Sequence, residues 1–176
     1  YERRITQLVR ADRLLAISGF SRDEAMSTLN LEANRVINIS AAVAPGFRSP
    51  TGIEQVAPNF IASLRDWGVR DQFVLYVPGG FDARKNFERL FAAYALLPEG
   101  LRQRYQLVIT GKLDKGRADL LMSYARAAGL TGDDLVLVDY VTDERLRDLY
   151  RQAALFVFPS LHEGFGLPVL EAMTCH

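Results

Sequence analysis

Four short apolar runs, separated by amphipathic stretches, constrain this chain more than any single motif. They are Phe73–Val77 (FVLYV), Leu107–Thr110 (LVIT), Leu135–Val138 (LVLV) and Leu155–Phe158 (LFVF). Each is apolar throughout rather than alternating, the pattern of a strand covered on both faces. Between them the apolar spacing becomes helical. Phe87, Leu90, Phe91, Tyr94 and Leu97 share one face, Leu120, Leu121, Tyr124 and Ala128 another, and Leu146, Leu149 and Tyr150 a third. Strands alternating with helices in this way predict an α/β fold, a Rossmann-like parallel sheet with helices on both faces.

The first 50 residues read as the tail of a preceding α/β unit. Ile5, Leu8 and Val9 lie on one helical face, Arg13–Ser18 (RLLAIS) is a strand, and Val36, Ile37 and Ile39 mark another. Ser21-Arg22-Asp23-Glu24 has the form of a capping box opening a helix that runs to Leu29. Turn formers crowd PGFRSPTG at 45–52, which sets a boundary. Three segments follow: 1–50 as the remnant of one domain, 51–72 as a linker with a short helix, and 73–176 as a second domain. In that short helix, Pro58–Trp67, Ile61 and Leu64 share a face and Gly68 is the stop. The start at Tyr1 and the stop soon after Glu171 read as a piece cut from a larger protein.

Composition removes several classes. The 21 Lys and Arg equal the 21 Asp and Glu in number, so nucleic acid is not the expected partner. Cys175 is the only cysteine, which rules out an intrachain disulfide and fits a reducing compartment. No signal-peptide pattern opens the chain and no apolar run approaches membrane-spanning length. There is no Walker-type glycine loop, no GxGxxG after FVLYV, no D-x-D triplet and no metal-ligand spacing involving His162 or Cys175.

In a parallel sheet the loops after the strands share one edge, where such folds bind ligands. The first, PGGFDARKN, pairs the permissive Gly79 and Gly80 with Arg84 and Lys85 ahead of a helix beginning near Asn86. Two cations beside helix amides suit a diphosphate; the competing reading is a solvated surface pair. The second loop, with Lys112 and Lys115, reads as an ordinary polar turn. The third offers the Val141 backbone or the Tyr140 ring to a planar base, although a tyrosine there is more often packing. The fourth runs into HEGFGLPVLEAMT, with Pro168 at a first helical position. Its amides from Gly164 through Phe165 and Gly166 to Leu167 are donors for an anion, and its carboxylates, Glu163 and Glu171, are acceptors for hydroxyl pairs of a sugar or ribose. Each carboxylate also has a plainer reading, Glu163 as a solvated loop acid and Glu171 as a helix-dipole partner.

AISGFS, the RKN loop, VIT-Gly111 and above all FPSLHEGFGLPVLEAM resemble glycosyltransferase family 4, the group 1 glycosyltransferases, along essentially the whole chain. Glu163 to Glu171 matches that family's E-x7-E signature. The resemblance implies a retaining enzyme with the two-domain GT-B fold, of which this chain holds the C-terminal, nucleotide-sugar-binding half. It implies that Glu163 contacts donor-sugar hydroxyls, Glu171 the ribose hydroxyls, and the amides of Gly164–Leu167 the sugar and distal phosphate. Lys85 would neutralise the departing diphosphate, which makes Lys85 and Glu163 the catalytic pair; Gly79, Gly80, Arg84 and Val141 complete the donor site. Where many members carry an arginine this chain has Gly80, and Arg84 is the replacement. No cofactor and no metal are expected. The loop style further suggests mannose from GDP-mannose (UDP being the other base), a saccharide or lipid-linked acceptor, and synthesis of surface polysaccharide such as the O-antigen of lipopolysaccharide. A cytoplasmic protein at the inner face of the membrane, peripherally attached, would follow. As a truncated piece it is expected to bind nucleotide weakly and not to transfer sugar. The reading from another class is a non-catalytic nucleotide- or partner-binding α/β module.

Overall fold

A computed structural model describes residues 2–48 and 58–175, and the chain divides into two compact units. One holds Tyr1–Val43 together with Glu163–Leu167; the other holds Ala44–His162 and Pro168–His176.

In the first unit, helix α1 (Glu2–Arg10) precedes strand β1 (Leu14–Ala16), helix α2 (Gly19–Leu29) and strand β2 (Val36–Asn38). The two strands pair in parallel, Leu14 beside Val36 and Ala16 beside Asn38. Ala16, Leu31 and Val36 are buried, with Leu14, Ala25, Met26 and Leu29 packed on them. The expected capping box is displaced. Helix α2 begins at Gly19, and Ser18, extended at φ −154, ψ 165, is the N-cap, its hydroxyl accepting the Ser21 amide at 2.9 Å. A serine three residues ahead of another serine offers the same acceptor geometry, so the cap falls one turn earlier and Ser21 is left for another contact. Asn30, in the left-handed region at φ 51, closes the helix as Leu31 N–H bonds back to Met26 C=O at 3.0 Å.

The second unit contains helix α3 (Pro58–Asp66), strand β3 (Phe73–Tyr76), helix α4 (Phe87–Ala95), helix α5 (Glu99–Arg104) and strand β4 (Gln106–Thr110). Helix α6 (Lys115–Ala127), strand β5 (Leu135–Val138), helix α7 (Asp143–Gln152), strand β6 (Leu155–Phe156) and helix α8 (Leu167–Cys175) complete the chain. All four strands are parallel, in the order β5-β4-β3-β6. Register places Val74 beside Leu107 and Leu107 beside Leu135, and this face is buried with Phe87, Leu90, Phe91, Tyr94, Leu121 and Ala125. The residues between them, Phe73, Leu75 and Val108, point the other way and are equally buried. Hence the continuous apolar runs: both faces are covered.

Strand order explains how. Passing from β3 to β4 to β5 in one direction by right-handed crossovers puts α4, α5 and α6 on one face, and the return from β5 to β6 puts α7 on the other. The edge contact of Tyr150 on Phe156, ring centroids 5.5 Å apart, agrees. The order in which strands are added therefore reverses between β3 and β6, the topological switch point of the sheet. The predicted α/β fold with a parallel sheet and helices on both faces is what forms.

Local departures have local causes. Leu97 lies beyond the end of α4 and is part exposed, because the chain turns at Leu96 into the short α5, which has no strong apolar periodicity to announce it. Leu120 faces out while Leu121 and Ala125 are buried. In α3 the buried pair is Phe60 and Leu64 rather than Ile61 and Leu64; Gly68, at φ 72, ends it, with Val69 N–H bonded to Leu64 C=O at 2.7 Å. Beyond β6, Val157 still donates to Leu75 C=O at 2.9 Å, but the ladder stops at Phe156. Residues 49–52 of the expected boundary, and residues 51–57 of the expected linker, lie outside the described residues. Phe47 is buried against Tyr150, ring centroids 6.0 Å apart, within the second unit.

Candidate functional site

The switch point is built from the loops after β3 and β6. After β3 the chain turns at Gly79 (φ 65), makes a single 3-10 turn over Ala83–Lys85, and enters α4 through Asn86 in the left-handed region at φ 61. Three hydrogen bonds tie this loop to the next, and a fourth ties it to its own strand. Leu161 N–H donates to Arg84 C=O at 2.8 Å, Asn86 Nδ2 to Pro159 C=O at 2.9 Å, Arg84 Nη1 to His162 C=O at 3.2 Å, and the Tyr76 hydroxyl, 3.5 Å from Ser160 Oγ, donates to Lys85 C=O at 2.8 Å. Buried backbone oxygens need such partners, and here the Tyr76 hydroxyl, the Asn86 amide and a backbone N–H are among those that supply them.

Lys85 is 4% exposed, which excludes the solvated-pair reading for it. A lysine is almost never so buried unless its charge is used. Its stem passes below Gly80, where an added Cβ would sit 3.8 Å from Lys85 Cε and 3.5 Å from Asp82 Oδ2. Arg84 is different: exposed, and ion-paired with Asp82 at 2.9 Å. Phe81 stacks on Phe87 with ring centroids 5.7 Å apart. Gly111, ending the next strand, lets Phe81 approach, since a Cβ there would lie 3.1 Å from its ring.

The second and third loops are joined by a residue the sequence reading passed over. Asp139 Oδ1 accepts from Leu113 N–H at 3.1 Å and from Tyr140 N–H at 2.6 Å. These backbone donors hold its carboxyl below the usual range, with Lys112 adding to the effect. Val141 is half-buried beside them. Tyr140 is 68% exposed, so the expectation of a packing tyrosine is corrected: the ring lies in solvent.

Glu171 lies in α8 beyond its first turn, too far along for a dipole role. Its Oε2 accepts the Tyr150 hydroxyl at 2.9 Å, and Tyr150 is wholly buried. Burial raises the Glu171 carboxyl, the Tyr150 bond opposes that, and Asp143 adds to the rise. Tyr150 is pushed far up by burial and by the neighbouring carboxylate, so its phenol remains a donor. Nothing in the sequence marked this pair beyond a tyrosine on the apolar face of α7.

The segment from Glu163 through Gly164, Phe165 and Gly166 to Leu167 groups with the first unit. Gly166 takes φ 81, and Glu163 is half-buried. The Gly164 carbonyl accepts hydrogen bonds from the hydroxyls of Ser18 and Ser21. Thus Gly79, Gly80, Arg84, Lys85 and Val141 line the strand-end loops of the second unit, Glu171 stands on α8 with Tyr150, and Glu163–Leu167 stands with α2. Among the described residues no three His, Cys, Asp or Glu side chains cluster as a metal site, and no helix is long and apolar enough to cross a membrane. A cleft of about 340 Å³ lined by Phe81, Asp82, Asn86, Phe87, Arg117 and Tyr124 lies against the first loop but contains none of the predicted site residues.

Comparison with known proteins shows the family. Residues 64–176 match the family described as glycosyl transferases group 1. The chain is 38% identical over 176 residues to the serotype-specific mannosyltransferase WbdA of Escherichia coli, covering 99% of this chain and 21% of that protein. It is 35% identical over 167 residues to the O-antigen chain mannosyltransferase B of the same organism, covering 94% of this chain and 42% of that one. Among solved structures, Anabaena HepE in complex with UDP and glucose superposes with a TM-score of 0.74 at 20% identity, over 99% of this chain and 45% of that one. The chain thus spans about a fifth of the length of the first of these relatives.

Proposed function

The chain belongs to the group 1 glycosyl transferases, and from that premise we propose that it carries donor-side machinery of a retaining hexosyltransferase. The transferred sugar is mannose, from GDP-mannose, and the acceptor is a saccharide or lipid-linked saccharide of a surface polysaccharide of O-antigen type. The mannose assignment draws on the two Escherichia coli relatives, both mannosyltransferases. The reaction would run in the cytoplasm, at the inner face of the membrane through peripheral attachment.

Buried Lys85 at the switch point is the observation that carries the reading. In glycosyl transfer from a nucleotide sugar, the bond from the anomeric carbon to the distal phosphate oxygen breaks and its electron pair leaves with the diphosphate. A cation fixed where that charge collects contributes most in the transition state. Lys85 takes that role, with Arg84 in support. Glu171, its Oε2 already held by Tyr150, keeps Oε1 to accept a ribose hydroxyl pair. Glu163 accepts from donor-sugar hydroxyls, the amides of Gly164–Leu167 donate to the sugar and distal phosphate, and the Val141 backbone meets the base. Neither carboxylate is assigned proton transfer, and no metal or cofactor is required.

Titration calorimetry with GDP, UDP and ADP tests this. Saturable binding, tightest for GDP and at least ~10-fold weaker in Lys85→Ala and Glu171→Ala, is expected from loss of one charge-assisted contact. Absence of saturable nucleotide binding, in this chain and in the full natural protein alike, would instead support a non-catalytic partner-binding α/β module.

A further inference from the structure

Two serines outside every predicted site residue converge on the glycine loop. Ser18, the N-cap of α2, accepts the Ser21 amide at 2.9 Å and donates its own hydroxyl proton to Gly164 C=O. Ser21 Oγ donates to the same carbonyl at 3.1 Å. Both lone pairs of one backbone oxygen are thereby engaged, at the positive end of α2. The approach is close. A Cβ on Gly164 would stand 3.1 Å from Ser21 Oγ and 3.3 Å from Ile17 Cδ1, so a side chain there would make Ser21 or Ile17 give by a few tenths of an ångström.

A peptide unit is planar and trans, so fixing the oxygen fixes the N–H on the opposite side. Anchoring Gly164 C=O to α2 therefore sets the direction of the Phe165 N–H, turned away from the helix. We infer that Ser18 and Ser21 are positioning residues, which preset the Gly164–Phe165 peptide so that the Phe165 amide stands ready to donate to the sugar-diphosphate end of a nucleotide-sugar donor. This rests on the donor-site reading above. It gives α2 a part in donor specificity: the helix discriminates for a phosphate-linked sugar over the bare nucleoside monophosphate, without touching either. A preorganised amide costs no reorganisation when the ligand arrives, which is why the anchor matters more than a flexible glycine loop would suggest.

The test uses the full natural protein. Ser21→Ala removes one anchor but leaves the cap, which uses only the Ser21 backbone. Ser18→Asp keeps a strong N-cap acceptor and loses the donor hydrogen. Ser21→Ala should lower kcat/KM for the nucleotide sugar by about 3–10-fold and the pair together by roughly 100-fold, as expected for weakening one preorganised donor. Binding of GMP, which lacks both the distal phosphate and the sugar, should stay unchanged, and Ser21→Thr should restore activity. Unchanged kcat/KM in the double variant, or equal loss of GMP and nucleotide-sugar binding, overturns the inference. Lys85→Ala separates the two levels. If it weakens GDP binding while the serine variants behave as wild type, only this inference fails; if GDP binding ignores Lys85, the underlying site assignment fails.

Discussion

Replacing Tyr150 by phenylalanine removes one oxygen atom from a wholly buried ring whose packing against Phe47 and Phe156 is otherwise kept. What is lost is the 2.9 Å hydrogen bond to Glu171 Oε2. A bond to an ionised group contributes about 1.5–3 kcal/mol; because Glu171 is only half-buried, water recovers part of it and ~1–2 kcal/mol is the better figure. When Glu171 is protonated the bond is neutral and the loss falls to about 0.5–1 kcal/mol. The direction with pH follows from linkage. The Glu171 carboxyl is raised in the folded chain, by burial foremost, so the fold holds its proton more tightly than the unfolded chain does. Stability then falls as pH rises from the unfolded pKa through the folded one. The Tyr150 bond opposes that rise, so deleting it raises the carboxyl further and deepens the fall. Thermal unfolding of wild type and Tyr150→Phe at about pH 4 and pH 8 measures this. The variant should melt roughly 3–6 °C lower at the higher pH and only ~1–3 °C lower at the acidic one. In a Glu171→Gln background the difference between the two pH values should vanish. An equal deficit at both pH values, or a larger one in acid, would refute the charged Tyr150–Glu171 contact.

Three more outcomes are expected. Gly129→Ala, at φ 84, should cost about 1 kcal/mol by forcing a Cβ into the left-handed region, seen as a lower denaturation midpoint. Asp134→Ala removes the acceptor shared by Arg102 Nη1 at 3.2 Å, Thr131 N–H at 2.9 Å and Thr131 Oγ1 at 2.9 Å, and leaves Arg102 part-buried without its partner. A loss of roughly 2–4 kcal/mol in urea unfolding follows. A chelator such as EDTA should leave nucleotide affinity unchanged, since the charges proposed to meet the diphosphate are Lys85, Arg84 and backbone amides; a drop in affinity on chelation would show a metal in that role.

The sheet is legible because its strands are buried on both faces, and continuous apolar runs such as FVLYV and LVIT alternate with helical spacing. Helices α4, α6 and α7 are legible from spacing, and α7 is capped by Thr142, whose hydroxyl accepts the Arg145 amide at 3.4 Å. The order of strands is not legible. Nothing in LFVF says that β6 pairs with β3 rather than β5, yet that pairing makes the switch point and brings the RKN loop beside Pro159–His162. Sequence does not separate the two possible caps of α2, because Ser18 and Ser21 are chemically equivalent cap formers. The burial of Lys85 was open for a related reason: sequence shows a cation next to a turn, while its enclosure depends on Gly80 and on the partner loop. Tyr150 and Asp139 act through contacts across sheet loops or between helices, to which periodicity is blind.

The central claim is that the switch-point loops and the Glu163–Glu171 segment serve a nucleotide-sugar donor. The most direct test is transfer by the full natural protein from a panel of GDP-, UDP- and ADP-linked sugars to an oligosaccharide acceptor, followed as release of nucleoside diphosphate and analysed for the anomeric configuration of the product. Turnover with GDP-mannose, retention of configuration, and loss of kcat by at least ~100-fold in Lys85→Ala are expected. Turnover by an inverting route, or a Lys85→Ala variant with wild-type kcat, would contradict it.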